Sequence, residues 1–190
     1  MGGGVIPEAE LLTRCRRGDQ LAWEALVRQY QPRVYGLAWH YLRNQEEARD
    51  AAQESFVRIY SKLSSFKQTE AFLPWVLRLT RNVCIDHLRR AKARPPASGM
   101  PVEEGAELVD ARPSPEGSAI SSSRRRLLYR ALDRLSEPHR EMILLKEIQD
   151  LPLEQIASML GLPLGTVKSR SNRARLELAR AVTRLGGGAP

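Results

Sequence analysis

Cysteine is scarce in this chain of 190 residues. Only Cys15 and Cys84 occur, so at most one bridge could form and a disulfide-stapled secreted scaffold is excluded. A reduced, cytoplasmic setting is the expectation. Long apolar runs are missing as well. No stretch reaches the roughly 18 uncharged apolar residues that a membrane span needs, and no apolar signal-peptide core follows Met1-Gly2-Gly3-Gly4. The period-two alternation of strands is absent. So are a Gly-rich phosphate loop, a nucleophile elbow and a paired-acid motif, so nothing points to catalysis. Aromatic residues are few and unevenly placed: all but Tyr129 lie before residue 76.

What the chain does have is positive charge. Lys and Arg number 30 against 22 Asp and Glu, a net charge of +8 with an isoelectric point near 10.0. A polyanion is the first partner to consider. Hydrophobic residues at 42% suffice for folded cores, which excludes wholesale disorder. The charge comes in blocks. Residues 1–96 carry a net of +6, residues 97–122 a net of −4, and residues 123–190 again +6. The acidic stretch also breaks in composition, since 12 of the 28 residues from 94 to 121 are Pro, Gly or Ser. Proline fixes φ and lacks a donor, and Gly and Ser favour turns. A flexible linker over 94–121 is predicted, joining small domains at 8–93 and 122–185.

Both blocks read as helical. Asp19 is placed to cap a helix running to about Leu42, with Ala22, Leu26, Tyr30, Val34, Leu37 and Tyr41 at three-to-four spacing. Pro32 predicts a kink or break. Asn44 caps a second helix with Ala48, Ala52, Phe56, Ile59 and Leu63 inward, and a third turns Phe72, Trp75, Val76, Leu79 and Val83 inward. Trp23, Trp39 and Trp75 are most simply core residues. The expectation is an all-α protein of two small helical domains.

The second domain carries a helix-turn-helix pattern. Leu153–Leu160 is a short amphipathic segment, and Gly161 stands where a helix stop tolerates positive φ. Thr166 then reads as the cap of a basic helix with Val167, Ser171, Ala174 and Leu178 inward. Lys168, Ser169, Asn172 and Arg173 fall outward. Such a helix fits a major groove, where Lys or Arg reaches guanine and Asn reaches adenine. A basic face can also be merely solvated, but turn, cap and one-sided charge together favour DNA.

At this point the sequence resembles a known family. Asp50-Ala51-Ala52-Gln53-Glu54-Ser55-Phe56 resembles the core-polymerase-binding signature of bacterial sigma factors. Phe72 through Arg90 resembles their −10-reading helix, and Gly165-Thr166-Val167-Lys168-Ser169-Arg170 through Arg173-Ala174-Arg175 their −35-reading helix. The order, the linker and the size resemble the small extracytoplasmic-function group of the sigma-70 family. The resemblance covers residues 8–185. Ser171 and Asn172 depart from it, since a bulky apolar residue and an aromatic or His are usual there.

The resemblance implies partners and sites. The partners are core RNA polymerase, promoter DNA and an anti-sigma factor. Asp50, Gln53 and Glu54, which share a helix face at i, i+3 and i+4, would dock on a coiled coil of the largest polymerase subunit. Phe66, Lys67, Gln68, Thr69, Arg78, Arg81 and Asn82 would meet the −10 element, with the 66–70 loop taking up a flipped base. Lys168, Ser169, Arg170, Asn172, Arg173 and Lys146 would meet the −35 element. The linker would thread toward the RNA exit path. Asp86 reads as structural, pairing with Arg89 or Arg90 one turn on.

No cofactor or metal is expected. Cys84 and His87 stand at i and i+3, but a zinc site needs about four convergent ligands. Two rivals remain open. An autonomous helix-turn-helix regulator would bind an operator without polymerase, and a thiol or metal sensor would use Cys84 and His87.

Overall fold

The computed structural model describes residues 6–67, 71–93 and 127–186. Among these residues every regular element is helical. The chain divides into two compact units, Met1–Ala111 and Arg112–Pro190. The linker predicted over 94–121 lies outside the described residues.

The first unit holds α1 (Glu8–Arg16), α2 (Gln20–Leu42), α3 (Gln45–Lys62), a 3₁₀ turn (Leu63–Ser65) and α4 (Phe72–Ala93). The two expected caps form. The Asp19 side chain accepts the Ala22 amide at 3.1 Å, and Asn44 Oδ1 accepts the Glu47 amide at 3.0 Å. Gly18, at φ +81°, makes the turn into α2 that a larger residue would strain.

Pro32 was expected to kink or break α2; the helix is not broken there and runs from Gln20 to Leu42. The proline removes one amide donor, whose acceptor would be the carbonyl of Arg28. Arg28 is exposed, so water can take that carbonyl, while Tyr30 and Val34 on either side of the proline are buried and hold the helix. Helix α1 was not anticipated. Its buried face, Leu11, Leu12 and Cys15, covers little more than one turn. The Tyr30 hydroxyl donates to Glu8 and ties it to α2.

The core of this unit is aromatic. Phe72 stacks with Trp75 and meets Tyr30 and Phe66 edge-on, at centroid separations of 5.1 to 5.5 Å. A second layer, Ala38, Leu42, Ala48, Ala51, Val83 and Cys84, continues it toward the far end of α2.

The second unit holds α5 (residues 127–133), α6 (Glu137–Ile143) running into a π-helical turn (Leu144–Ile148), α7 (Leu153–Leu160) and α8 (Leu164–Leu185). Leu132, Met142, Leu145, Leu151, Ile156 and Val167 are fully buried or nearly so. The Arg140 guanidinium donates to the carbonyls of Leu132, Asp133 and Leu135, satisfying acceptors left at the end of α5. Among the described residues no helix is long and apolar enough to cross a membrane.

Candidate nucleic-acid and docking interfaces

The turn between α7 and α8 rests on Gly161, which takes the left-handed conformation at φ +65°. A side chain there would meet no atom within 4 Å, so backbone conformation, not space, asks for glycine. The Leu162 amide donates to the Ala157 carbonyl at 3.0 Å and closes the turn. Helix α8 then starts at Leu164, with Pro163 in the cap position. Thr166 is therefore inside the first turn and is not the cap. The Val167 amide already donates to the Pro163 carbonyl at 3.1 Å, and proline's fixed φ suits a helix start.

Val167, Ser171 and Ala174 are buried beneath α8, while Leu178 is only half-buried. Lys168, Ser169, Asn172 and Arg173 are exposed, and Arg170 is half-buried. Among the described residues none of these three cations has an acidic partner. Further along α8, Arg175 and Glu177 tie the helix to the segments beneath it, while Arg180 and Arg184 are exposed. Arg175 pairs with Glu147 of the π turn at 2.7 Å. Glu177 pairs with His139 of α6 and accepts the Ser136 amide at 3.3 Å. The His139 hydrogen bond, with that amide, holds the Glu177 carboxyl below its ordinary value. Lys146 sits on the π turn and is half-buried. The basic face is thus separated into groups that brace the helix and groups that point to solvent.

On α4, Arg78, Asn82 and Arg89 follow one another on a stripe opposite the buried Phe72, Val76 and Val83, with Arg81 and Lys92 beside them. Asn82, Arg89 and Lys92 are exposed; Arg78 and Arg81 are half-buried. These side chains lie along one face of α4, as expected from their spacing. Phe66 differs. Its ring is 5% exposed, 5.0 Å from Trp75 and 5.1 Å from Phe72, so it anchors the core and is closed to a base. Arg16 of α1 donates to the carbonyls of Leu63 and Phe66 and stands over the Phe66 ring. Lys67 is exposed; Gln68, Thr69 and Glu70 lie outside the described residues.

On α3 the three residues expected to share a docking face part company. Asp50 and Gln53 are exposed. Glu54 instead turns against α4. One of its oxygens meets Arg58, and the other stands 2.9 Å from His87 Nε2 and 3.9 Å from Arg90 Nη1. Arg58 also bridges to Asp86 at 3.1 Å, so Asp86 pairs across helices and not with its own helix neighbours. The hydrogen bond to His87, then Arg58, keeps the Glu54 carboxyl below its ordinary value.

Beside Gln53 lies a shallow, mostly apolar groove between α2 and α3, lined by Val27, Gln31, Tyr35, Arg49, Ala52, Gln53 and Phe56. Val57 and Tyr60 stand exposed on the Gln53 side of α3, and Tyr60 meets Trp23 edge-on at 5.0 Å. The sequence reading passed over both. The signal was available, since 53, 57 and 60 follow helical spacing with two large apolar residues on an otherwise polar face.

Cys84 is fully buried, and burial pushes its thiol up to about 12, so it is an un-ionised packing group. His87 is engaged with Glu54. The cysteine–histidine sensor therefore lacks a reactive thiolate. Among the described residues no three His, Cys, Asp or Glu side chains gather as a metal site.

Residues 26–94 match Sigma-70 region 2, and residues 125–178 match Sigma-70, region 4. The RNA polymerase sigma-H factor of Pseudomonas aeruginosa is 32% identical over 183 residues, covering 94% of this chain and 95% of that protein. The ECF RNA polymerase sigma-E factor of Escherichia coli is 34% identical over 176 residues, covering 90% and 91%. Among solved structures, the sigma factor RpoE in complex with the anti-sigma factor NepR from Bartonella quintana superposes with a TM-score of 0.68 at 24% identity, over 84% of this chain and 95% of that one. CnrH in complex with the cytosolic domain of CnrY gives 0.63 at 22%, over 90% and 94%. At such identities these two structures speak for the fold. The sequence relatives speak for more: the chain belongs to the extracytoplasmic-function subfamily of the sigma-70 family, and is an alternative sigma factor directing promoter-specific initiation of transcription.

Proposed function

We propose that residues 122–185 read the −35 element through the outward face of α8, with Lys168, Asn172 and Arg173 at base edges or phosphates and Ser169, Arg170 and Lys146 alongside. The observation that carries this reading is the division of charge on α8. Arg175 and Glu177 are tied to the supporting segments, while Lys168, Arg170 and Arg173 have no acidic partner among the described residues. Phosphate contacts set register and base contacts set sequence.

Residues 8–93 bind core RNA polymerase and the −10 element. Asp50 and Gln53, with Val57, Tyr60 and the neighbouring apolar groove, form the docking face. The α4 stripe of Arg78, Arg81 and Asn82 holds the promoter strand, and residues 67–70 take up an unstacked base. Residues 94–121 link the two and run toward the RNA exit path. The chain has no active site of its own: it contributes differential affinity, and the polymerase performs the chemistry. It works in the cytoplasm and is held by an anti-sigma factor, as in the two solved complexes.

Footprinting with and without core polymerase tests this reading. Protection of both promoter elements only with core present supports it; protection of an operator by the chain alone supports an autonomous regulator. In a second assay the 67–70 loop is replaced by Gly and Ser, and transcription is read from a promoter premelted across the −10 element. Unaltered base preference on the non-template strand would falsify base capture there.

A further inference from the structure

Helix α8 presents its outward face from its first half and is tied to other segments in its second. Beneath the first half the buried side chains are small: Val167, Ser171 and Ala174. Small side chains offer shallow ridges, so they resist rolling of a helix about its own axis less than large ones do. A roll matters here. A helix with its side chains has a radius of about 5–6 Å, so a roll of about 20° carries an outward side chain about 2 Å sideways. Base-edge hydrogen bonds tolerate far less, because donor and acceptor must stay within about 2.7–3.2 Å.

Two charged pairs hold the second half, and they differ in slack. Arg175 and Glu147 are both exposed, and two long flexible side chains can follow a roll without parting. Glu177 is held more closely. One of its oxygens accepts the backbone amide of Ser136 at 3.3 Å, and the other meets Nδ1 of His139. Glu177 and His139 are half-buried. Ser136 precedes α6 and makes no side-chain cap of its own. In a capping box, the acid that takes this amide stands three residues further on in the same helix. Here that position is His139, and the acid comes from α8, 38 positions away. The corner that receives it is itself fixed, since Arg140 holds the carbonyls of Leu132, Asp133 and Leu135. A backbone amide and a short imidazole side chain leave little slack. The tether also acts one turn beyond Arg173, about 6 Å along the axis. We infer that Glu177 and His139 are positioning residues that set the roll of α8, and through it the base preference of Lys168, Asn172 and Arg173. The Arg175–Glu147 pair supports stability alone. The inference rests on the reading of α8 as the −35 helix.

The test uses the full chain bound to core polymerase and promoter duplexes randomised over the −35 element. The wild-type complex selects its preferred element. Each variant is then scored by the ratio of its affinity for that element to its affinity for single-base substitutions of it. Competition within one preparation gives the ratio, so a variant that merely folds less well leaves it unmoved. E177A should lower the ratio by about 3- to 30-fold. E177Q is the conservative variant: its side-chain oxygen can accept the Ser136 amide and its nitrogen can face the His139 ring, so the contact survives without the charge. E177Q and R175A should stay within about twofold of wild type. Adding H139A to E177A should lower the ratio no further, because the two residues share one contact. An unchanged ratio in E177A overturns the inference. So does an equal fall in E177Q, which would make charge and not geometry the cause, or an equal fall in R175A, which would make any brace sufficient. A double variant that multiplies two separate losses overturns the shared contact. K168A and R173A are measured alongside. If neither changes −35 preference, the reading of α8 fails and the inference falls with it; if they change it and E177A does not, the inference fails alone.

Discussion

The two units hold their working helices in different ways. In the first, large rings fill the space between long helices: Tyr30, Phe66, Phe72 and Trp75 pack in sequence within one core. Such residues bury 150–250 Å² each, so a few span the gap between three helices. In the second, the buried set is aliphatic, with Leu132, Met142, Leu145 and Ile156 at its centre. The ionic ties differ in the same way. In the first unit Arg58–Asp86 and Glu54–His87 join the two helices proposed to work, α3 and α4, while Arg14–Asp19 closes the turn before α2. In the second they run from the single working helix α8 to the segments beneath it, α6 and the π turn. A unit with two functions needs its surfaces fixed relative to each other. A unit with one needs only a braced helix.

The largest effect that could break this comparison is loss of a core ring. Phe72→Ala should cost the first unit about 3–5 kcal/mol, because Phe72 is 1% exposed and touches three other rings. Leu145→Ala should cost the second unit about 2–5 kcal/mol. Hydrogen exchange read unit by unit is the measurement. Each substitution is expected to lower protection in its own unit alone. Protection lost together across both would mean that the units fold as one.

The next effect sharpens the division on α8 between braces and readers. Lys168→Ala or Asn172→Ala should cost about 1–3 kcal/mol of −35 binding and relax preference at one position. If Arg173 holds a phosphate, Arg173→Ala should lower the salt slope by about one. Arg175→Ala should act differently. Its exposed pair with Glu147 contributes about 0.2–1 kcal/mol to stability, and sequence preference should stay as it was. Binding across a panel of −35 variants separates the cases. On the first unit, Val57→Asp should leave stability within about 0.5 kcal/mol, since Val57 is 64% exposed. It should weaken core polymerase binding by more than about 1 kcal/mol if the docking face is apolar.

Local signals were legible in the sequence where one turn of chain decides the outcome. Asp19 and Asn44 cap the helices they were expected to cap, and Gly161 takes the positive φ its position asks for. The inward faces of α2 and α4 follow from period alone. What was not legible depended on distant partners. Glu54 looked like a surface acid because its partner His87 lies 33 positions away, and Asp86 was assigned to neighbours one turn on when its partner is 28 positions back. Phe66, placed in a loop by its neighbours, belongs to the core because Phe72 and Trp75 fold back over it. Helix α1 is too short for a period to establish itself.

The smallest expected effect lies in the acid limb. Among the described residues three carboxyls are held below their ordinary values. Asp19 is lowered by the Ala22 amide and Arg14, and Glu54 by His87 and Arg58; both belong to the first unit. Glu177, lowered by His139 and the Ser136 amide, belongs to the second. A carboxyl lowered on folding contributes stability above its unfolded value, 4.5 for a glutamate, and loses it as pH falls through the folded value. The slope of stability against pH counts the protons taken up on unfolding, which the unfolded state binds more readily at these sites. Below about pH 4.5 the first unit, with two such groups, should therefore lose stability more steeply than the second, with one. Glu54→Gln and Glu177→Gln should each flatten the limb of their own unit while leaving the other unchanged. Urea titrations at stepped pH, followed by a probe in each unit, give the two slopes. A Glu177→Gln variant as steep as wild type would mean that the His139 bond does not hold in solution, and equal slopes in wild type would mean that Asp19 or Glu54 is not held below its ordinary value.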